Sequence, residues 1–336
     1  ENELSQAFTA YNTRIVAPPH GSMLPMSPVR KNILMVACAL GLLIPVVIIF
    51  ICENMNTRVR GRKDLESVTV PFIGEIPLFT RKKKGIFRKK PQEVRAIVVK
   101  EGSRDIINEA FRVLRTNLEF MTGKDKASNV IIVTSFNPGS GKSFLTMNIA
   151  VSFAIKGKKV LVIDGDLRHG SASSYIDSPT KGLSDYLGGR IDNLNEIIVT
   201  NPKQKYLDIL PVGTIPPNPT ELLFDDRLKQ VIDTVREQYE YVLIDCPPIE
   251  LVADTQIIEK LADRTIFVVR AGLLELSMLA ELEKIYGEKK YKNMSLILNG
   301  TEGSGGRYGY RYGYRYGYHY GYGSEYHYGS DEKYIE

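Results

Sequence analysis

Tryptophan is absent from this sequence, and cysteine is scarce, with three residues in 336. Cys38, Cys52 and Cys246 form neither a disulfide framework nor a spacing typical of a metal site. No charge excess of either sign is large, because 44 basic against 39 acidic residues leave a net charge of +5. This balance is not typical of a dedicated nucleic-acid-binding protein. Charged and apolar fractions of 25% and 43% exclude a wholly disordered chain, a coiled coil and a polytopic transporter.

One long uncharged run stands out in a chain whose length suggests one or two folded units. Residues 33–51 read ILMVACALGLLIPVVIIFI. As a helix this run would span about 28 Å at about 1.5 Å per residue, close to the hydrocarbon thickness of about 30 Å. The alternative, a core helix of a soluble domain, would usually show a polar face, which this run lacks. The run therefore predicts one transmembrane helix.

The charges on either side of this run indicate its orientation. Few basic residues precede it, whereas residues 58–63 and the run RKKKGIFRKK at 81–90 follow it. The positive-inside rule then places the C-terminal side in the cytoplasm, and the basic run either rests on anionic lipid or is a solvated linker. We expect residues 1–32 to end an extracytoplasmic (periplasmic) domain whose upstream part is missing, and residues 52–100 to form a basic cytoplasmic linker.

Residues 101–300 alternate between apolar runs and helical stretches, which predicts an α/β domain. Such runs of β-forming residues occupy residues 130–135, 159–164, 206–212, 241–246, 264–269 and 294–299. Continuously apolar strands separated by helices are typical of a mostly parallel sheet with helices on both faces. Ligands of such sheets bind at the carboxyl ends of the strands.

A phosphate-binding loop follows the first of these runs. The segment SFNPGSGKS, residues 135–143, comes directly after a strand and opens a helix. Backbone N–H groups from Gly139 to Lys142 can bind phosphate oxygens, Lys142 adds a positive charge, and the Ser143 hydroxyl suits Mg²⁺. Phe136 stands where the common P-loop pattern has glycine. The strand–loop–helix context nevertheless predicts nucleotide binding and a P-loop NTPase-like fold.

Three aspartates end two other apolar strands. Asp164 ends the run VLVID, and Asp166 follows two residues later in the continuation GDLR. Asp245 ends the run YVLID. A single aspartate at a strand end is often a helix cap, but three of them beside a P-loop indicate a metal–phosphate site.

These motifs together resemble the bacterial tyrosine autokinases of the polysaccharide co-polymerase family. The chain carries a Walker A loop, the D-x-D-x-R pattern at 164–168 and a D-x-P strand end at 245–247. Three further segments are similar to family segments: GTIPPNPTELL at 213–223, an E-x-x-R-x-x-R-x-N helix, and a tyrosine-rich tail. The resemblance covers about residues 20–336, with residues 101–300 as the kinase domain.

The resemblance implies a role for each residue of the site. Lys142, Asp164 and Asp166 would be catalytic, with Lys142 stabilising the transferring phosphoryl group. Asp164 would accept the tyrosine proton or orient the hydroxyl. The implied Mg²⁺ ligands are Ser143, Asp166 and Asp245, the last directly or through water. The implied ATP contacts are Gly139, Ser140, Gly141, Lys142, Ser143, Phe144 and Asn299. Arg168 either binds phosphate or braces its loop, and Asn299 either contacts the adenine or is a turn residue.

The helix around Glu109 has an apolar stripe and a charged face. Its stripe comprises Ile107, Ala110, Phe111, Leu114, Leu118 and Met121, and Glu109, Arg112 and Arg115 lie largely opposite. A solvated charged face is the usual meaning of such residues. The resemblance instead implies a contact between protomers in a homo-oligomeric ring.

The C-terminal tail consists of a four-residue repeat, RYGY, that continues as HYGY. Because it is rich in glycine and poor in aliphatic residues, we expect residues 301–336 to be disordered. Arg/Gly/Tyr repeats can stack on single-stranded nucleic acid, but behind a membrane-anchored kinase domain we expect no nucleic-acid partner. The expected phosphoacceptors are Tyr308, Tyr310, Tyr312, Tyr314, Tyr316, Tyr318, Tyr320, Tyr322, Tyr326, Tyr328 and Tyr334.

The resemblance implies an ATP- and Mg²⁺-dependent autokinase of the bacterial inner membrane, with a cytoplasmic kinase domain. It would phosphorylate its own tail or a neighbouring protomer's, and so regulate capsular or exopolysaccharide polymerisation and export. Its partners would be the polymerase and export machinery and a counteracting tyrosine phosphatase. Two alternatives stay open: a membrane-anchored ATPase switch of the MinD/ParA kind, and a structural co-polymerase subunit without kinase activity.

Overall fold

The computed structural model describes residues 30–79, 96–122, 129–201, 204–249 and 253–302. The chain divides into two units, one up to Asn56 and one from Thr57 onward. In the first unit, helix α1 (Arg30–Asn54) contains the uncharged run, and Pro45 lies inside it. The stretch Arg30–Ile51 is long and apolar enough to cross a membrane, as judged by length and composition. The predicted helix over 33–51 is confirmed.

In the second unit the described residues form one sheet of eight strands. The strands are β1 (Phe72–Pro77), β2 (Asn129–Thr134), β3 (Val160–Asp164), β4 (Val199–Thr200), β5 (Leu207–Leu210), β6 (Tyr241–Asp245), β7 (Arg264–Arg270) and β8 (Ser295–Thr301). Their order across the sheet is β1-β8-β7-β2-β6-β3-β5-β4. Every neighbouring pair is parallel except β4 and β5. All six predicted strands are present, and the mostly parallel sheet is confirmed.

Helices cover both faces of this sheet. They are α2 (Ile106–Thr122), α3 (Lys142–Ile155), α4 (Leu183–Leu187), α5 (Pro219–Leu223), α6 (Asp226–Gln238), α7 (Asp254–Glu259) and α8 (Met278–Gly287). Alternate residues of β2 belong to different hydrophobic clusters, Val130 and Ile132 to one, Ile131 and Val133 to the other. This follows from side chains pointing to opposite faces along a strand. The cluster containing Ile131 and Val133 packs under α2 and α3.

The segment expected to be a linker is in large part folded. Val59 is fully buried, and β1 pairs with β8, so that residues 57–79 belong to the second unit. Residues 96–100 also pack onto the domain, because Asn148 Oδ1 accepts hydrogen bonds from the backbone N–H groups of Val98 at 2.8 Å and Val99 at 3.2 Å. The expectation of a linker over 52–100 is therefore wrong for these residues. The basic run at 81–90 lies outside the described residues.

The last strand sets where the tail begins. β8 is parallel to both of its neighbours, so its C-terminal residue, Thr301, lies at the carboxyl edge of the sheet. The P-loop and the strand-end aspartates lie at the same edge, because they follow β2, β3 and β6. The tail, including all eleven expected phosphoacceptor tyrosines, lies outside the described residues.

Candidate active site at the carboxyl edge of the sheet

Three central strands deliver the charged residues of the site. β6 lies between β2 and β3, so the P-loop after β2 and the aspartates after β3 and β6 are brought side by side. Asp164 and Asp245 are paired in register at the ends of neighbouring strands, which lie about 4.8 Å apart in a sheet. The backbone N–H of Gly165 donates to Asp245 O at 2.9 Å and ties the two strand ends together.

The turn of the P-loop depends on two glycines with left-handed backbone conformation, Gly139 at φ 75° and Gly141 at φ 87°. Ser140 Oγ donates to Asn137 O at 2.8 Å, which fixes the turn before the helix. Helix α3 then starts at Lys142, whose side chain is buried to 9% exposure. A glycine-rich turn that opens a helix directs backbone N–H groups and the positive helix end toward one point, which favours phosphate.

Phe136, the departure from the common P-loop pattern, does not enter the loop cradle. Its side chain is 2% exposed and packs edge-to-face on Phe267 of β7, with ring centroids 4.9 Å apart. The position therefore contributes to the core below the loop, and the phosphate-facing part of the loop starts at Gly139. This explains how a phenylalanine is accommodated at a position where glycine is common.

Asp164 is fully buried at the end of β3. Its Oδ2 accepts hydrogen bonds from Ser173 N at 2.6 Å and Ser173 Oγ at 2.7 Å. Its Oδ1 is buried with no hydrogen-bond partner among the described residues. Burial raises the pKa of this carboxyl to about 6, although the bonds from Ser173 act in the opposite direction. The unpaired oxygen is therefore available to accept a proton near neutral pH.

Asp245 at the end of β6 carries a strongly perturbed carboxyl. Neither of its oxygens has a hydrogen-bond partner within the part of the chain that the structure describes. Burial and the charge of Asp164 raise its pKa to about 8, outweighing the nearby Ser143 hydroxyl and Lys142 ammonium. A buried carboxylate without partners is costly, and such a group is typical of a site that receives a cation or a proton.

Asp166 lies on the loop that follows β3, and its side chain is 9% exposed. Its Oδ1 accepts from the backbone N–H groups of Arg168 and His169, both at 3.2 Å. The loop runs close to β6, because a Cβ on Gly165 would lie 3.1 Å from Asp245 O. Asp166 is thus positioned next to Asp164 and Asp245 by the turn itself.

Arg168 braces this loop from outside. Its Nε donates to Asp254 Oδ2 at 3.1 Å and its Nη2 donates to Thr220 Oγ1 at 3.0 Å. Thr220 Oγ1 in turn donates to Asp254 Oδ1 at 2.6 Å. Of the two roles open for Arg168, bracing is the one that these bonds support. The network joins the loop after β3 to helices α5 and α7.

The donor set fits Mg²⁺ at this edge. The Ser143 hydroxyl and the Asp166 and Asp245 carboxylates are hard oxygen ligands, and both Asp245 oxygens are buried and unpaired among the described residues. Within the same residues, no group of three or more His, Cys, Asp or Glu side chains is arranged to hold a metal ion. Mg²⁺ usually takes one or two protein carboxylates and completes its shell with water and phosphate oxygens.

Two of the expected ATP contacts have other neighbours. Asn299 is 2% exposed, and its Nδ2 donates to Ser140 O at 2.8 Å, so it holds the P-loop from below. Contact of Asn299 with the adenine stays a prediction, because its side chain is enclosed in this structure and bonded to the loop. Phe144 packs edge-to-face on Phe111 of α2, with ring centroids 6.0 Å apart, and is only partly buried.

The apolar stripe of α2 lies inward as expected, but its charged face is divided. Arg112 Nη1 contacts Glu109 Oε1 at 2.6 Å within the helix. Arg115 turns toward α3, where its Nη1 donates to Ser152 O at 2.8 Å. The expectation that all three charged residues lie opposite the stripe is therefore wrong for Arg115, whose guanidinium is tied to the neighbouring helix.

Sequence reasoning missed three residues of the site. Ser173 holds Asp164, while Thr220 and Asp254 hold Arg168. Ser173 lies in the segment after β3 and Asp254 opens α7, and neither belongs to a motif that the sequence analysis identified. Thr220 does lie in the segment GTIPPNPTELL, but the sequence assigns it no partner.

Comparisons with known proteins identify the family of this domain. A family model described as "AAA domain" matches residues 128–296. Tyrosine-protein kinase YwqD of Bacillus subtilis is 35% identical over 209 residues, which are 62% of this chain and 87% of the relative. Tyrosine-protein kinase etk of Escherichia coli is 31% identical over 285 residues, 81% of this chain but 39% of the relative. The chain thus spans about two fifths of the length of such longer curated relatives.

Solved structures give the same result. The kinase domain of Escherichia coli tyrosine kinase ETK superposes with a TM-score of 0.63 at 29% identity, covering 79% of this chain and all of that one. The BceF tyrosine kinase domain superposes with a TM-score of 0.59 at 30% identity, covering 72% of this chain and 99% of that one. Both superpositions support the fold of a tyrosine kinase domain.

Proposed function

The chain belongs to the bacterial tyrosine kinase family, and from this premise we propose that it is an ATP-dependent protein-tyrosine autokinase. Its substrate would be its own tyrosine cluster, Tyr308 to Tyr334. The observation that carries the proposal is the meeting of Lys142, Asp164 and Asp245 at one sheet edge, with three buried carboxylate oxygens unpaired among the described residues. The second support is Thr301, which starts the tail at that same edge.

The P-loop would bind and orient the phosphates of ATP. Its N–H groups and the start of α3 offer donors at a positive helix end. Lys142 would stabilise charge on the transferring phosphoryl group, since phosphoryl transfer depends mainly on positioning and charge stabilisation. Ser143, Asp166 and Asp245 would hold Mg²⁺, which supplies charge neutralisation of the phosphate oxygens when bound.

Asp164 would accept or orient the proton of the attacking tyrosine. A tyrosine hydroxyl has a pKa of about 10, so it is mostly protonated at neutral pH. Ser173 occupies Oδ2 of Asp164 and fixes the carboxyl orientation, which leaves Oδ1 for the substrate. A pKa of about 6 keeps this carboxyl largely ionised at pH 7, the state that a general base requires.

The cellular location and the partners of the protein are part of this proposal. Helix α1 would anchor it in the bacterial inner membrane with the kinase domain cytoplasmic, as the basic flank predicts. The kinase would act with the polysaccharide polymerase and export machinery and be reset by a tyrosine phosphatase. A ring would bring the tails of neighbouring protomers to the site.

The protomer contact would rest mainly on Glu109 and Arg112. Arg115 would have to break its bond to Ser152 before it could contact a neighbouring protomer. Arg112 is about half exposed, and its bonds to Glu109 at 2.6 Å and to Ser103 O at 3.3 Å lie at the surface. Light scattering of an Arg112→Glu variant tests the contact, because a lower mass than that of the unchanged protein is expected. An unchanged mass would remove Arg112 from the interface.

A membrane-anchored ATPase switch is the rival function. It would hydrolyse ATP at the same fold, but that group typically carries a lysine early in the P-loop, where this chain has Phe136-Asn137-Pro138. None of these three residues has a basic side chain. A structural subunit with a vestigial site is less well supported, because Lys142, Asp164, Asp166 and Asp245 are all retained.

The fate of the γ-phosphate separates these functions. Purified protein with Mg²⁺ and γ-labelled ATP should transfer label to its own tyrosines, with little free phosphate released. Release of phosphate without labelled protein would favour the ATPase switch. Neither product, under conditions where calorimetry shows ATP binding, would favour the structural subunit.

A further inference from the structure

An exposed surface beside the site carries both apolar and acidic side chains. The segment 215–226 presents Ile215, Glu221, Phe224, Asp225 and Asp226 as exposed residues, and we call this set the acidic–aromatic surface. Ile215 and Phe224 are 60% and 65% exposed, as are Ile106 and Phe120 on α2 at 57% and 74%, whereas most described apolar side chains of the second unit are enclosed. Glu221 and Phe224 are spaced i, i+3 along α5 and its C-terminal turn and so lie on one face. One oxygen of each of two carboxylates is already engaged: Asp225 Oδ1 accepts from Arg227 N at 2.8 Å and Glu221 Oε2 accepts from Asn218 Nδ2 at 2.9 Å.

The opposite face of the same helix explains why this surface is fixed in place. Pro219 and Leu223 are buried in the core, and Thr220 bonds to Asp254 and Arg168. The surface is therefore anchored to the loop that carries Asp166. Arg227, the adjacent cation, is engaged with Tyr186 O at 2.9 Å and Asp192 Oδ1 at 3.1 Å.

The tail has the complementary chemistry. Residues 303–322 contain Arg307, Arg311 and Arg315, eight tyrosines and no acidic residue. Each repeat thus offers one guanidinium for a carboxylate and tyrosine rings for Phe224 and Ile215. We propose that the acidic–aromatic surface is a docking site for the Arg-Tyr-Gly-Tyr repeats, and this inference rests on the proposed autokinase function.

The order of the strands places the start of the tail and the docking site on opposite sides of the candidate active site. The tail starts after β8, whereas α5 follows β5, and β7, β2, β6 and β3 lie between them. Five strand spacings make about 24 Å. Ten extended residues from Thr301 to Arg311 reach about 36 Å at most. A repeat held at α5 therefore draws the preceding tyrosines across the strand ends that carry the P-loop, Asp245 and Asp164.

The repeat also allows the register to change. Four extended residues span about 13 Å, so that exchanging Arg311 for Arg315 on the same carboxylates would move the next pair of tyrosines to the site. Each exposed ion pair is weak, and several equivalent repeats raise the chance of rebinding. Each phosphate adds about −1.5 to −2 charges, so a modified repeat would be repelled by the acidic residues and released.

Binding of a labelled peptide tests this inference without relying on catalysis. The described core of the second unit lies in residues 57–302, so a chain ending at Glu302 keeps it. A fluorescent peptide of residues 303–322 should bind this chain, more weakly at higher salt. The triple variant Glu221→Lys, Phe224→Ala, Asp226→Lys should raise the Kd about tenfold or more. The matched control Asp233→Lys, Glu237→Lys on α6 should stay within about twofold.

Charge exchange and kinetics complete the test. A peptide with all three arginines changed to glutamate should bind the triple variant better than the unchanged chain. With the unmodified peptide as substrate, the triple variant should raise its KM and leave kcat and the KM for ATP unchanged. Equal Kd values for the triple variant and the unchanged chain would overturn the docking site.

The remaining outcomes separate this inference from its rivals. A lower mass of the triple variant in light scattering, with an unaltered peptide Kd, would make the surface an interface between copies and overturn the proposal. Peptide binding that the triple variant loses, without any phosphate transfer, would support docking and contradict the autokinase function. Phosphate transfer to the peptide with equal KM values for the triple variant and the unchanged chain would support the autokinase function and contradict docking.

Discussion

Asp164 and Asp245 are held against each other at the ends of neighbouring strands, where burial and like charge both oppose ionisation. A pair arranged in this way costs stability when both groups are charged. Residues kept in a costly state often belong to a site whose ligand relieves the cost. The fold imposes this cost by burial, because both strands are buried along their whole length.

The first prediction concerns Asp245. Its pKa is raised from 3.8 to about 8, so the folded state binds more protons than the unfolded state between these values. The free energy of unfolding therefore falls as pH rises from about 4 to about 8. Asp245→Asn removes this penalty and should stabilise the ligand-free protein by about 1–3 kcal/mol near pH 8, while it abolishes activity.

Thermal unfolding in EDTA measures this effect. The difference in Tm between Asp245→Asn and the unchanged protein should grow from pH 5 to pH 8. The exposed Asp233→Asn serves as the control and should show no such trend. A Tm difference that is constant or negative over this range would contradict the buried-pair account.

The second prediction concerns the close approach at Gly141. A Cβ there would collide with Asn299 Nδ2, and φ is +87°. Gly141→Ala should therefore displace the loop or Asn299 and weaken ATP binding about tenfold or more. Gly157→Ala is a matched control, because Gly157 has φ +82° but no other atom within 4 Å of the place that a Cβ would take. Calorimetry with ATP should find Gly157→Ala unchanged in affinity; an equal loss in both variants would assign the effect to backbone strain alone.

At the scale of elements, hydrophobic periodicity predicts the strands well where both faces are covered. β3 and β6 read as continuous apolar runs because helices pack on both sides. β1 has a weak strand pattern in the sequence, because its six residues include Gly74 and Pro77 and it lies at the sheet edge. Its pairing with β8 depends on a partner more than 200 residues away, which local sequence does not indicate.

The same limit applies to side chains that act between elements. Helical spacing predicts the buried stripe of α2 but not that Arg115 reaches Ser152. Strand-end position indicates Asn299 but not its bond to Ser140 O. The motifs Gly139–Ser143 and Asp164–Arg168 are local, so the sequence predicts them. Their supports, such as Ser173, come from tertiary packing.

The third prediction tests whether β1 is part of the domain. Ile76 is fully buried and pairs with Asn299 across the sheet edge. Ile76→Ala should lower the free energy of unfolding by about 2–4 kcal/mol. Leu78→Ala, two residues on and 40% exposed, should lower it by much less. Urea denaturation measures the free energy of unfolding of both variants. Equal, small decreases would contradict the packing of β1 in the domain and support a linker.

At the scale of the whole molecule, the folded domain is distinct from the tail that we propose as its substrate. The described strands, helices and hydrophobic clusters of the second unit end at β8. The fourth prediction follows: removal of residues 303–336 should leave the ATP affinity within about twofold, because no described core residue is lost. Calorimetry of the shortened chain decides this, and a large loss of affinity would mean that the tail is part of the nucleotide site.

The central claim is that this sheet edge transfers phosphate from ATP to the tail tyrosines. Mass-spectrometric mapping of phosphotyrosine, after the purified protein is incubated with ATP and Mg²⁺, tests it most directly when done beside Lys142→Met. Lys142 is the cation of the P-loop, and its loss should not unfold a loop whose turns depend on Gly139, Gly141 and Ser140. We predict phosphotyrosine between Tyr308 and Tyr334 in the unchanged protein and none in Lys142→Met. Equal phosphotyrosine in both proteins, or none in either, would contradict the claim.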